Sequence, residues 1–243
     1  MKLRLRIPVL LACILSISCG VDEYYYLPQV PEINIKASIW EAEIRIPPIS
    51  TADFYYAYGY TIFYRIYPSE VPTLATITQN GMPAISSSLA SDYLSLFNAI
   101  DPTNTTTVPT PSTFTERNYF EIEFEGADVR SKLSTAGGTL RISFPPTVGV
   151  PVANINGEQF NLSRASIRLT SPVPDLYFRN TSELRDRANA TSIANADVAV
   201  HIGSPQYTYV SMYIAAIGTN QTNFNQILSK PTHISVFRLT DFN

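Results

Sequence analysis

The sequence predicts a mainly all-β fold in which antiparallel sheets pack face to face as a β-sandwich. The chain carries fifteen Tyr and twelve Phe but only ten Gly, and runs of alternating β-branched and aromatic residues recur along it. Hydrophobic residues make up 45% and charged residues 15%, which is typical of a globular domain with a core to bury. The strongest run, residues 54–67, is apolar or aromatic on both faces, so we expect a central strand covered on both sides.

The first eighteen residues have the composition of an export signal rather than of a fold element. Lys2, Arg4 and Arg6 form a basic start, and an almost wholly apolar run follows over residues 7–17. This run is shorter than the roughly 20 residues that a helix needs to cross a bilayer. We therefore expect residues 1–18 to be a signal peptide that is removed during export.

Cys19, which follows the small residue Ser18, is the predicted site of lipid attachment. Cys13 is the alternative, because residues 10–12 before it match the leucine and small-residue pattern at which bacterial lipoproteins are cut. Cleavage at Cys13 would leave an apolar core below the usual range of about 7 to 15 residues. The cut is therefore expected between Ser18 and Cys19.

The residues before Cys19 resemble the looser lipobox of spirochaete-type bacterial lipoproteins, with Leu15 four positions upstream instead of three. The resemblance implies that the Cys19 thiol carries a diacylglyceryl group. After removal of the signal, Cys19 is the only cysteine, so the exported chain can form no internal disulfide. Gly20 follows it in place of Asp, which favours the outer membrane. The alternative is an ordinary signal peptide with no lipid.

Residues 19–31 are expected to form a short tether stiffened by prolines, and residues 32–243 to form the domain. Two strands with one buried face each are predicted at its start from strict alternation, and proline ends the second. Their apolar positions are Ile33, Ile35 and Ala37, then Ala42, Ile44 and Ile46, before Pro47 and Pro48.

A second long strand is predicted over residues 207–216, and the last strand follows the Ser229-Lys230-Pro231 segment. Four of these strands resemble strands B, C, F and G of a fibronectin type III domain: the strand that ends at Ile46, the long strand over residues 59–66 and this C-terminal pair. Ile46 stands where that family usually has tryptophan. The resemblance implies that the strands around Tyr60–Ile66 and Val210–Ala216 are neighbours in one sheet.

The two matching halves are separated by about 140 residues, whereas a whole domain of this kind has about 100. We therefore expect a large insertion at about residues 70–200, or a larger two-sheet sandwich. Within it, Ser86 to Ser88 and the apolar spacing up to Ile100 predict a short helix. A hairpin is expected to turn at Gly137 and Gly138. Strands are predicted at residues 71–78, 118–125, 140–144, 159–170, 175–179 and 194–202.

No catalytic residue, cofactor or metal site is predicted. The sequence has no phosphate-cradling glycine loop and no serine-nucleophile motif, and His201 and His233 lack zinc-ligand spacing. Glu121, Glu123 and Glu125 recur about 7 Å apart along one predicted strand. We expect a solvated strand face there; calcium binding or general acid and base catalysis is the alternative.

Tyr55, Tyr56 and Tyr58 are the candidate ligand-binding residues, because tyrosine rings at a strand entry can stack on sugars or bind a protein. Packing of these rings in the core is the alternative. The formal net charge is −3 and becomes −6 without the basic residues of the signal, which does not indicate nucleic-acid binding.

These features together predict a lipid-anchored protein of the bacterial cell envelope with a non-enzymatic domain that serves interaction or structure. Its expected partners are the membrane, through the N-terminal lipid, and a protein or glycan ligand. A carbohydrate-binding module and a glycan-acting envelope enzyme are the alternatives.

Overall fold

The computed structural model describes residues 27, 29–48, 57–69, 75–79, 82–84, 119–124, 132, 137–145, 151–164, 197–198, 207–219 and 224–239. Several predictions concern residues outside this set: the signal peptide over residues 1–18, lipidation of Cys19, the short helix over residues 86–100, and the positions of His201 and Glu125.

The described residues are mostly β-strand, which confirms the all-β prediction. A 3-10 helix covers Glu32–Asn34. The strands are β1 Ile35–Ala37, β2 Glu41–Ile46, β3 Ala57–Ser69, β4 Ala75–Gln79, β5 Met82–Ala84, β6 Phe120–Phe124, β7 Gly138–Ser143, β8 Val152–Ile155, β9 Glu158–Arg164, β10 Tyr207–Thr219, β11 Gln226–Leu228 and β12 Thr232–Arg238. In the part of the chain that the structure describes, no helix has the length and apolar character needed to span a bilayer.

Ten of these strands form one continuous antiparallel arrangement in the order β1-β2-β7-β8-β9-β6-β3-β10, with β11 and β12 sharing the other edge of β10. Among the described strands, β4 and β5 form a separate two-stranded sheet. β3 and β10 pair along almost their whole length, from Tyr207 opposite Ser69 to Gly218 opposite Ala57. The predicted neighbourhood of Tyr60–Ile66 and Val210–Ala216 is therefore confirmed.

The two ends of this strand path meet across a shared core. The ring of Phe144, just after β7, stacks on the ring of Phe237 in β12 with centroids 4.5 Å apart. The backbone N–H of Arg238 donates to the carbonyl of Ile39, between β1 and β2, at 2.9 Å. The apolar positions predicted for β2, Ala42, Ile44 and Ile46, are all buried in this core. Folding the path back on itself thus buries the inward face of every long strand.

β3 is also buried on its other face, as its two-sided apolar pattern predicts. Thr61, Phe63 and Tyr67 on that face are almost fully buried, and Tyr209 and Tyr213 of β10 lie beside them. A strand covered on both sides loses the usual apolar and polar alternation, which explains the near-continuous apolar sequence of β3 and β10.

The structure contradicts the buried face predicted for the first strand. Ile33 is 90% exposed, because Glu32–Asn34 turns as a 3-10 helix before the chain extends. Only three residues remain for β1, and they are exposed or half-buried. Periodicity of two over so few residues does not fix which face meets the core.

The predicted hairpin at Gly137 and Gly138 is also wrong, since β6 and β7 are separated by β8 and β9 in the strand order. Gly137 has φ 72°, and a Cβ there would lie 2.9 Å from the carbonyl oxygen of Ile46. The absence of a side chain at Gly137 therefore lets its backbone pass close to the end of β2. The tight hairpin lies instead between β8 and β9, where Asn156 and Gly157 both have positive φ.

Strands β6 to β9 belong to the stretch over residues 70–200 that the sequence sets apart as an insertion. They pair with β2 and β3, so the described part of this stretch is built into the same strand path as the flanking strands.

Candidate binding surface

The tyrosines predicted to bind a ligand are only partly within the described residues. Tyr58 lies in β3, near the start of the strand, and only its backbone is described. Tyr55 and Tyr56, and the processing site at Ser18 and Cys19, lie outside the described residues. These assignments stay predictions.

The row of Glu121, Glu123 and Glu125, which we call the glutamate row, is not uniformly exposed to solvent. Glu121 lies opposite Phe63 of β3 and is half-buried. It accepts a hydrogen bond from the hydroxyl of Thr61, which is almost fully buried. The prediction of a solvated face is therefore wrong for Glu121, because the face of β3 beside it is itself covered. Glu123 follows in β6 opposite Ser163 of β9.

His233 lies in β12 beside Tyr213, with the two ring centroids 5.0 Å apart. Its Nε2 atom is buried and has no hydrogen-bond partner among the described residues. Burial disfavours the charged imidazolium and lowers the pKa of His233 to about 4. The ring is therefore neutral near pH 7. Among the described residues, no three His, Cys, Asp or Glu side chains come together in a way that could hold a metal ion.

A buried cluster of aromatic and polar groups lies on the same outer face of β3. The hydroxyls of Tyr67 and Tyr119 are 3.0 Å apart and share a hydrogen bond. The guanidinium carbon of Arg65 lies 5.6 Å from the Tyr67 ring centroid and 5.9 Å from that of Tyr119. Both tyrosines are almost fully buried, so this cluster contributes to packing rather than to a surface.

A second group of aromatic residues and arginine does reach the surface, and we call Trp40, Tyr207 and Arg238 the arginine–aromatic patch. The guanidinium carbon of Arg238 lies 5.0 Å from the Tyr207 ring centroid and 5.8 Å from the Trp40 ring centroid. All three residues are half-buried. Each cation–π contact at such a partly exposed place contributes roughly 0.5–1 kcal/mol, so the two contacts favour this arrangement of the three side chains.

Local hydrogen bonds fix the turn that carries Trp40. The Ser38 hydroxyl oxygen accepts from the backbone N–H of Trp40 at 3.2 Å and from that of Glu41 at 3.1 Å. Serine favours such turns because its short side chain can bond to the backbone just after it. The Ser235 hydroxyl of β12 donates to the Ser38 carbonyl at 3.1 Å, which ties the turn to the strand that carries Arg238.

The arginine–aromatic patch lies at the opposite end of β12 from the N-terminal segment. At the start of β12, the Thr232 hydroxyl donates to the carbonyl of Val30, and Gln29 Nε2 donates to the Pro231 carbonyl at 3.2 Å. Leu27 and Val30 are buried in the core there. The seven residues from Thr232 to Arg238 span about 20 Å of extended strand. The arginine–aromatic patch is therefore well separated from the N-terminal segment at Leu27 to Val30.

The sequence alone does not predict this patch. Trp40 is the only tryptophan of the chain and lies between two alternating apolar runs, which is the one local signal that marks it. Nothing near Tyr207 or Arg238 in the sequence indicates that they meet Trp40, because the three belong to opposite ends of the chain.

Comparison of the chain with protein-family models, curated proteins and solved structures finds no match.

Proposed function

We propose that the protein is a lipoprotein of the bacterial cell envelope, anchored through Cys19 in the outer membrane, whose β domain is a non-enzymatic interaction or structural module. The observation that carries this proposal is the separation of the arginine–aromatic patch from the end where the N-terminal segment enters the core. An anchored domain with this arrangement holds one end toward the lipid and presents a preformed surface at the other.

The length of chain between anchor and domain supports the arrangement. Leu27 is buried in the core, eight positions after Cys19. A fully extended chain spans at most about 3.5 Å per residue, so the domain stays within about 28 Å of a lipid on Cys19. Such a short connection keeps the domain at the membrane surface.

The strand order supports a domain similar to fibronectin type III in its main sheet. β3, β10 and β12 are successive neighbours, which is the order of strands C, F and G in immunoglobulin-like sandwiches. β2 pairs with β1 and β7, as strand B pairs with A and E. In this proposal β8, β9 and β6 are additions that join the two halves.

A non-enzymatic role is supported by the contacts of Glu121 and His233. Glu121 accepts a hydrogen bond from the Thr61 hydroxyl, and the imidazole of His233 is neutral and packs beside Tyr213. A general acid or base needs hydrogen-bonding reach to a substrate. These groups are instead engaged in the packing of the sheet.

Metabolic labelling with a fatty-acid analogue tests the anchor. Cys19→Ser should abolish labelling, whereas the matched variant Cys13→Ser should be cut and labelled as the parent protein is. Labelling that persists in Cys19→Ser and disappears in Cys13→Ser would refute the assignment of Cys19.

A screen of the purified protein against envelope glycans and common ester substrates tests the non-enzymatic role. The expected result is no turnover by the parent protein and none by the variant in which Glu121, Glu123 and Glu125 are all replaced by Gln. Loss of a general acid or base typically costs about 10²- to 10⁴-fold in rate. Turnover that disappears in the triple variant would therefore make the glutamate row an active site and contradict the proposal.

A further inference from the structure

We infer that the end of the domain where the chain passes from β10 to β11 contacts the lipid bilayer directly, with the ring of Phe224 inserted at the membrane surface. This inference rests on the proposed lipid anchor at Cys19 and names the part of the domain that meets the membrane. The lipid on Cys19 holds the protein at the bilayer, and Phe224 sets the orientation of the domain on it.

Phe224 exposes a large apolar side chain on a backbone conformation that phenylalanine seldom adopts. The residue is 80% exposed, and Ile33 is the other large apolar residue with such exposure among those that the structure describes. The φ of Phe224 is 58°, in the left-handed region, which is uncommon for a bulky residue. Packing inside the domain explains neither feature. Such backbone outliers cluster at ligand-contacting sites, so the exposed ring is a candidate contact residue.

Phe224 lies at the end of the domain that is farthest from the arginine–aromatic patch. Arg238 of the patch pairs with Tyr209, near the start of β10. Gln226 of β11 pairs with Thr219, the last residue of β10, and Phe224 comes two residues before Gln226. Ten residue steps along β10 separate the two pairings, which corresponds to about 34 Å of extended strand.

The N-terminal segment enters the domain from the end that carries Phe224. The Thr232 hydroxyl donates to the Val30 carbonyl, and the backbone N–H of Arg238 donates to the Ile39 carbonyl. The chain from Val30 to Ile39 therefore runs beside β12 toward the patch, so the preceding residues come from the opposite end. A lipid on Cys19 lies off that end, and the bilayer is there.

The β10–β11 end extends beyond the point where the N-terminal segment is attached. Thr232 pairs with Ile214, whereas β11 pairs with β10 three to five residues farther along, at Ile217 to Thr219. This difference places the β11 pairing about 10–17 Å farther from the patch. The chain between Cys19 and the buried Leu27 spans at most about 28 Å, so the projecting end is within reach of the bilayer.

The sequence around Phe224 suits a membrane surface. No Asp, Glu, Lys or Arg occurs between Gly203 and Ser229, so the residues beside Phe224 carry only amide and hydroxyl groups. Charged side chains are costly to bring into a bilayer, whereas aromatic rings are enriched at the boundary between lipid and water. The exposed Asn225 and Gln226 can hydrogen-bond to headgroups while the ring of Phe224 is inserted.

The anchor explains why so small a surface is sufficient. A stable interface between proteins involves about 20–30 residues on each side, which a single projecting ring does not provide. A bilayer needs no such area, because the lipid already keeps the domain beside it and the second contact becomes intramolecular. The membrane that holds the anchor is therefore the partner that an exposed ring at this end fits.

Quenching by brominated lipids measures this contact, because bromine quenches tryptophan at short range and Trp40 is the only tryptophan of the chain. The lipidated protein is purified in detergent and reconstituted into phosphatidylcholine vesicles with or without bromine on the upper acyl chain. In the parent, Trp40 reports on the patch end and should keep its emission. The double variant Trp40→Phe, Phe224→Trp moves the single tryptophan to the proposed contact, and its emission should fall by about half or more in brominated vesicles.

Ile33 provides a matched control, because it is 90% exposed but lies three residues after Val30, at the level of the N-terminal attachment. The double variant Trp40→Phe, Ile33→Trp should be quenched less than the Phe224 reporter. Phe224→Cys gives a second measurement that keeps the aromatic ring count of the core unchanged. Once Cys19 is lipidated, the introduced thiol is the only free one and can carry a fluorophore, which nitroxide lipids should quench.

Three outcomes overturn the inference: quenching of the Phe224 reporter no greater than that of Trp40, quenching at Ile33 equal to that at Phe224, or a Phe224 emission that depends on protein concentration and not on bromine. The last outcome identifies a contact between copies of the chain. Circular dichroism and urea unfolding establish that each variant is folded. A protein that carries a fatty acid at Cys19 but shows no quenching at Phe224 refutes this inference alone, whereas absence of the fatty acid refutes the proposed anchor.

Discussion

The hydroxyl of Tyr64 makes a hydrogen bond whose removal should be measurably costly. This hydroxyl donates to Oδ2 of Asp197 at 2.8 Å, and both residues are completely buried in the described structure. The Asp197 carbonyl also accepts from the backbone N–H of Ile66 at 2.9 Å, so the carboxylate is held beside β3. Replacement Tyr64→Phe keeps the ring and removes only the donor.

Tyr60 provides a matched control on the same strand and the same face. Its ring is also almost fully buried, but its hydroxyl donates to the backbone carbonyl of Pro47 at 3.1 Å in a partly buried place. Hydrogen bonds to charged groups contribute about 1.5–3 kcal/mol to stability, whereas those between neutral groups contribute about 0.5–1.5 kcal/mol. We therefore expect Tyr64→Phe to lose about twice as much free energy of unfolding as Tyr60→Phe.

Urea denaturation followed by circular dichroism measures both losses. With an m-value of about 3 kcal/mol per molar urea, a loss of about 2 kcal/mol moves the midpoint down by about 0.7 M. A double-mutant cycle with Asp197→Asn should give a coupling energy of at least about 0.5 kcal/mol with Tyr64→Phe and near zero with Tyr60→Phe. Equal losses in the two Phe variants, or no coupling between Tyr64 and Asp197, would refute the reasoning.

Three further predictions follow from single contacts. Burial lowers the pKa of His233 to about 4 from its ordinary value of 6.5, so the unfolded chain binds this proton first as the pH falls. The stability that the neutral His233 contributes should therefore be complete above pH 6.5 and decrease toward pH 4. The urea midpoint of His233→Gln should decrease less over this range than that of the parent protein. An equal decrease in the two proteins would contradict the lowered pKa of His233. Gly137→Ala should cost about 3 kcal/mol, because positive φ costs about 1–2 kcal/mol and the added Cβ would also clash with the backbone. Gly157→Ala has positive φ but open space around the Cβ, so it should cost only the roughly 1–2 kcal/mol of the backbone conformation. Similar urea midpoints for the two variants would exclude the clash at Gly137. Thr61→Val should lose about 1.5 kcal/mol, because it removes the donor to the Glu121 carboxylate. Glu121→Gln should lose less, because its amide oxygen still accepts. The reverse order in chemical denaturation would count against this hydrogen bond.

The strands themselves could largely be predicted from the sequence, because alternation of apolar and polar residues is a local property. Ala42, Ile44 and Ile46 are buried as their spacing predicts, and proline ends β2 at the expected residue. The apolar character of both faces of β3 also predicted correctly that it is covered on both sides. The Asn156-Gly157 turn carries a hairpin signal of its own, so the sequence contains the information for the observed hairpin, and the glycine pair at Gly137 and Gly138 is a false signal.

Which strands pair, and which side chains meet at the surface, was decided only by the tertiary structure. Pairing depends on contacts between segments far apart in the chain, and the apolar patterns of β6 and β7 suit several partners equally well. The arginine–aromatic patch has the same origin: Trp40 comes from the first turn between strands, and Tyr207 and Arg238 come from strands near the C-terminus. They become neighbours only because β12 bonds to the β1–β2 turn when the strand path folds back on itself, and no local spacing in the sequence encodes that contact.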